Sequence, residues 1–150
     1  MTGDLDQIDL KILEILAVDG RATVTAVADA VGLSNTPCQL RIRRLEKDGY
    51  ILGYQAVLAQ DKLGRSHIAF VEVKLVSTTG TALAAFNRAV QRVPMIEQCH
   101  MIAGGFDYLL KVRTRSIEEY RIVLAEEISR LPHIAQTSTY VSMEAVKDHA

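Results

Sequence analysis

The chain has 150 residues, 49% of them hydrophobic, and 17 basic against 18 acidic side chains for a formal net charge of -1. That is enough apolar material for the core of one domain or two small ones. The near-neutral balance excludes a protein coated in positive charge that clings to any nucleic acid.

No apolar run approaches the roughly 20 residues that a membrane span requires. The start MTGDLDQIDLKI carries acids where a secretion signal carries bases ahead of an apolar stretch. The chain is therefore expected in the cytoplasm, with no membrane partner. Cys38 and Cys99 stand far apart without a second Cys or His at zinc-ligand spacing, and read as buried thiols. His67, His100, His133 and His149 form no HExxH or CxxC-type cluster, so neither a metal nor a cofactor is expected.

In chain order, LDQIDLKILEIL repeats apolar residues at helical spacing through Leu5, Ile8, Ile12, Leu13 and Leu16, with Gly20 as the stop. A second, shorter helix fits TVTAVADAVG, where Val24, Val27, Ala28 and Val31 share a face, Thr23 or Thr25 can cap the start, and Gly32 ends it. After LSN, the segment TPCQ predicts a third start: Thr36 as cap, Pro37 at the first helical position and Gln39 completing a capping box. That helix is expected to run to Asp48 and stop at Gly49.

At about 100° per residue, Cys38, Ile42 and Leu45 point inward in the third helix, while Gln39, Leu40, Arg43, Arg44 and Lys47 point outward and Arg41 lies on the border. Residues 1–60 hold six bases against eight acids, and four of the six bases fall between Arg41 and Lys47. A basic helix face alone is usually just solvated. Here it comes with a tight two-helix turn, a polar helix start and the strand-like GYILGYQAVLA, which reads as a wing. The combination predicts a winged helix-turn-helix whose third helix enters a major groove. Asn35, Thr36 and Gln39 would then reach base edges, Leu40 a thymine methyl, and Arg43, Arg44 and Lys47 the phosphates of double-stranded DNA.

A polar connector, AQDKLGRS, marks the boundary. Beyond it HIAFVEVKLV alternates Ala69, Val71, Val73 and Leu75 inward, and TTGT leads into a helix with Leu83, Phe86, Val90 and Val93 on one stripe. Pro94 then precedes the strand MIEQCHMIA. The order repeats in the strand FDYLLKVR, a helix from Ser116 to Leu131 and the strand IAQTSTYVSMEAV, with Gly104 and Gly105 at the hairpin between the middle strands. Two such halves make a ferredoxin-like βαββαβ domain. The fold class is thus α+β, with a winged helix-turn-helix over 1–60, a linker over 61–65 and a ferredoxin-like domain over 66–150. An antiparallel sheet with both helices on one side leaves its other face open, carrying Ile68, Phe70 and Leu109, and the simplest cover is another copy.

Four segments, LDQIDLKILEIL, VGLSNTPCQLRIRRLEKDGYILGY, IEQCHMIAGGFDYLLKVR and LPHIAQTSTYVSMEAVK, give the chain an end-to-end resemblance to the Lrp/AsnC, or feast/famine, transcriptional regulators. The resemblance implies a C-terminal domain of the RAM/AsnC type and a homodimer assembling further, to an octamer in many members. It implies binding to promoter DNA and control by an amino-acid effector held at the seam between dimers. It also implies an effector pocket at Met101, Asp107, Ile117, Tyr140, Val141 and Ser142, against the GxxD turn Gly104, Gly105, Phe106, Asp107.

The chemistry suits an amino acid: Asp107 for the ammonium, the backbone of Gly104 and Gly105 for the carboxylate, Met101 and Ile117 as apolar walls. The chain departs from the usual pattern at Gly105 and at Leu40. Leucine is one expected effector. Proline is the other, since GGFDYLLKVRT also resembles members that control proline catabolism. An enzyme on the same scaffold would need converging nucleophile, base or phosphate-binding groups, and no Walker loop, GxSxG or Cys/His pairing is present. A stand-alone sensor that docks on a partner enzyme would have little use for the Arg41 to Lys47 cluster.

Overall fold

A computed structural model describes residues 5–148. His149, one of the histidines weighed as a metal ligand, lies outside them. Residues up to Leu58 form one compact unit and residues from Ala59 onward a second.

The first unit holds three helices, α1 (Gln7–Val18), α2 (Val24–Val31) and α3 (Asn35–Lys47), around Ile12, Val27, Ala28, Cys38 and Leu45. α1 begins with a reciprocal capping box: Asp6 accepts the Asp9 N–H at 2.8 Å and Asp9 accepts the Asp6 N–H at 3.2 Å. That satisfies two of the amides a helix start leaves without partners. Thr23 caps α2 by accepting the Ala26 N–H at 3.1 Å, and Gly32 ends it in the left-handed region at φ 73°.

α3 starts earlier than its sequence suggests. Ser34 is the cap residue and Asn35 the first helical one, so Pro37 occupies the third helical position and no side chain caps the start. The first internal bond is from the Cys38 N–H to the Ser34 carbonyl. Because the amides before it have no intrahelical acceptor, a proline at the third position loses nothing. Proline therefore did not mark the first position, and the expected Thr36 to Gln39 box is absent.

The expected wing strands are also absent from this single chain: no residue from 50 to 58 is in a ladder. The Tyr50 and Ile51 amides turn back onto the Leu45 carbonyl, at 2.9 and 3.1 Å. All side chains from Leu52 to Leu58 are exposed. With neither face buried, nothing stabilises a two-stranded hairpin.

The second unit runs β1 (His67–Leu75), α4 (Gly80–Val90), β2 (Ile96–Met101), β3 (Tyr108–Thr114), α5 (Ile117–Glu126) and β4 (Ile134–Val141). The sheet order is β2-β3-β1-β4, with every neighbouring pair antiparallel. Ala69, Val71, Val73 and Leu75 of β1 and Tyr108, Leu110 and Val112 of β3 pack under Phe86 and Val90 of α4 and Tyr120 and Val123 of α5. This is the ferredoxin-like arrangement, and the inward alternation of β1 is the one its sequence predicts.

Two elements end early. The helix expected to reach Leu131 stops at Glu126, and a 3-10 turn covers Ile128–Arg130. Continued α-helix would carry Ile128 about 140° round from Val123, whereas the tighter turn lets both be buried. β4 stops at Val141 because its partner runs out: the Ser142 N–H takes the Ile68 carbonyl at 2.9 Å, and only His67 precedes Ile68 in β1.

The face opposite the helices carries Ile68, Phe70 and Glu72 of β1 beside Arg113, Lys111 and Leu109 of β3, with Phe70 also opposite Tyr140 of β4. Lys111 and Arg113 are buried there. Arg113 donates to Glu97 at 2.5 Å and to Asp148 at 2.6 Å, and Lys111 pairs with the same two acids. These partners make two buried cations tolerable.

Candidate DNA-reading helix and effector half-sites

α3 presents Thr36, Gln39, Leu40, Arg43 and Lys47 to solvent, Leu40 at 61% exposure. Asn35 is exposed as well, but its amide donates to the Thr25 hydroxyl at 3.0 Å and ties α3 to α2. Arg44 is only partly available, because it is ion-paired with Asp9 of α1. Arg41 joins the same acid at 2.9 Å and Asp6 at 2.6 Å. The hydrogen bond from Arg41, more than any other cause, holds the Asp6 carboxyl below its ordinary range; the Asp6 bond in turn raises the guanidinium. Asp9 itself is 1% exposed. Sequence reading missed it although the signal was there: an acid four after Leu5 and three before Ile12 sits inside the apolar stripe of α1 and must meet a cation.

In the second unit the eight expected effector residues fall into two groups. Met101, Gly104, Gly105 and Asp107 lie where β2 turns into β3, with Met101 opposite Tyr108. Ile117, Val141 and Ser142 lie at the other end of the sheet, past Thr114, where Val141 pairs with Ala69; Tyr140 stands one step in, opposite Phe70. From Tyr108 to Thr114 is six strand steps, or roughly 20 Å. One free amino acid cannot touch both groups within one chain. A depression of about 410 Å³ on the outer side of α5, lined by Glu118, Arg121, Ile122, Ala125 and Glu126, contains none of the eight.

The β2–β3 turn is a loop, closed by the Ile102 N–H on the Asp107 carbonyl at 2.8 Å, instead of a two-residue hairpin. Neither Gly104 nor Gly105 has a positive φ, and a side chain at Gly105 would meet nothing within 4 Å. The glycines are thus not demanded by backbone strain. Asp107 has a structural duty: its Oδ2 accepts the Leu75 N–H at 2.7 Å, while its own N–H donates to the Val73 carbonyl at 2.9 Å. The acid pins the loop to the end of β1 and leaves Oδ1 for a further partner.

Residues 5–51 match a winged helix-turn-helix DNA-binding model, and residues 68–150 match the Lrp/AsnC ligand binding domain. The chain belongs to the Lrp/AsnC family. It is a DNA-binding transcriptional regulator with an amino-acid-sensing type of C-terminal domain. It is 58% identical over 147 residues to the proline dehydrogenase transcriptional activator of Rhizobium radiobacter, covering 98% of this chain and 94% of the relative. To the leucine-responsive regulatory protein of Escherichia coli strain K12 it is 46% identical over 144 residues, 96% and 88% of the two chains. Among solved structures, an AsnC family transcriptional regulator from Agrobacterium tumefaciens superposes with a TM-score of 0.89 at 33% identity, covering 96% of this chain and 94% of that one. A transcriptional regulator from Neisseria meningitidis in complex with L-Met gives 0.88 at 25% identity, with 97% and 94% covered. Among the described residues no helix is long and apolar enough to cross a membrane.

Proposed function

We propose that this chain binds promoter DNA in the cytoplasm as a homodimer or higher assembly and adjusts the expression of amino-acid metabolism to one amino acid. It works without a cofactor or catalytic step of its own. In this reading Asn35, Thr36, Gln39 and Leu40 of α3 read base edges while Arg43 and Lys47 hold phosphates, with Arg44 a lesser contact because Asp9 holds it. The observation that carries the DNA half is the outward face of α3, which combines a polar start with exposed Arg43 and Lys47.

The effector half rests on the opposite placement of the two groups at the ends of the sheet. A ligand that uses Met101 and Asp107 of one copy together with Ile117, Tyr140, Val141 and Ser142 of another fits a seam between copies. The Gly104 and Gly105 amides would take its carboxylate and the free oxygen of Asp107 its ammonium. Proline ranks first among effectors because the chain is similar to proline dehydrogenase activators, and leucine second because of its similarity to leucine-responsive proteins. Domain limits of 1–60 and 66–150, with the linker 61–65 between, complete the proposal.

A thermal-shift screen of the twenty amino acids tests the effector half. A ligand that binds only the folded protein raises its melting temperature. No shift with any of them would contradict the sensing role.

A further inference from the structure

Asp9 is a carboxylate buried in an apolar stripe at 1% exposure, and both of its oxygens are occupied by α3 arginines. One oxygen takes Arg41 at 2.9 Å, while the other takes Arg44 and, at 3.2 Å, the Asp6 amide. Arg44 is nevertheless 45% exposed along its side chain, so a phosphate could draw it away. A carboxylate and a phosphate compete for the same fork of guanidinium donors.

We infer that Asp9 is a positioning residue that acts as an internal phosphate mimic. It fixes the rotation of α3 through Arg41 and Arg44 and keeps these two cations from adding to phosphate binding. Of the four bases on α3, Arg43 and Lys47 are then left free to face the backbone of DNA, while Arg41 and Arg44 are engaged by Asp9. Sequence-independent affinity grows with each phosphate neutralised, and base contacts do not. Holding back two arginines therefore lowers the sequence-independent part of DNA affinity, in a unit whose residues 1–60 already carry more acids than bases. This inference rests on the DNA-binding reading above.

The test compares two labelled duplexes, the gene's own upstream region and a scrambled duplex of equal length, titrated with full-length protein between about 50 and 200 mM salt. Asp9→Asn should steepen the log–log salt slope by about 0.9 per released arginine in each bound subunit. It should also raise affinity for both duplexes by a similar factor, because a phosphate contact forms on any sequence. Arg44→Ala added to Asp9→Asn should take back about 0.9 of that slope. A merely structural Asp9 would lower the melting temperature and weaken binding to both duplexes without steepening the slope, and that result overturns the inference.

If Asp9→Asn is unfolded at the assay temperature, the comparison moves to Arg43→Gln and Arg44→Gln in the natural chain. Arg43→Gln should cost about 0.9 of slope and Arg44→Gln less than half as much, and equal losses overturn the inference. A natural protein that binds neither duplex with any salt dependence would instead refute the DNA-binding reading itself.

Discussion

Replacing Asp107 with alanine removes the acceptor of the Leu75 N–H, a 2.7 Å bond that ties the β2–β3 loop to the end of β1. Losing an ionised acceptor and leaving a half-buried amide unpaired costs about 1 to 3 kcal/mol. In a unit of this size each kcal/mol moves the melting temperature by roughly 4 to 8 °C, so Asp107→Ala should melt about 4 to 24 °C lower. Asp107→Asn keeps an oxygen for Leu75 and should stay within about 1 kcal/mol of the natural chain, but it loses the charge that an effector's ammonium needs. At an effector concentration ten times its dissociation constant the natural protein gains about 1.4 kcal/mol, or roughly 6 to 11 °C. Scanning fluorimetry with and without proline or leucine separates the two duties of the acid. An alanine variant that melts with the natural protein would refute the structural bond. An asparagine variant with an undiminished ligand shift would refute the ammonium contact.

Leu45→Ala leaves a cavity in the small core of the first unit and should cost about 2 to 5 kcal/mol, abolishing DNA binding while the melting of the second unit is retained. The Asp148 carboxyl is held below its ordinary 3.8, first by the Lys111 hydrogen bond and then by Arg113. Its contribution to stability is therefore complete above pH 3.8 and is lost as pH falls through the lower folded value. Urea midpoints followed into acid should fall less steeply for Asp148→Asn than for the natural protein. Burial pushes the Cys99 thiol up to about 11 and raises that of Cys38 as well. Iodoacetamide at about pH 8 should accordingly label the folded chain far more slowly than the urea-unfolded chain, and equal rates would contradict the burial of Cys38 and the partial burial of Cys99, which is less enclosed than its sequence suggests.

Strong periodicity made the scaffold legible. The stripes of α1 and α2 and the alternation of β1 are dictated by burial on one face, so composition at fixed spacing reveals them. What stayed hidden depends on partners distant in sequence. Where β4 ends is set by where β1 begins, since Ser142 takes the last carbonyl on offer at Ile68. The wing depended on a strand partner that residues 50–58 do not find in one chain. The start of α3 was misjudged because a proline is equally tolerated at any amide that lacks an intrahelical acceptor. At the candidate site, the exposed face of α3 was readable, but the engagement of Arg44 by Asp9, 35 residues earlier, was not. Likewise Asp107 was legible as a turn acid, while its bond to Leu75, 32 residues away, required the fold.

On the proposed function, the outer face of α3 grips promoter DNA. This grip is tested most directly by measuring affinity for the gene's upstream duplex across salt concentrations, for the natural chain and for Arg43→Ala with Lys47→Ala. The double variant should bind more weakly at every salt and lose about 1.8 of the log–log slope per bound subunit, because two phosphate contacts vanish. A double variant with natural affinity and an unchanged slope would contradict the account.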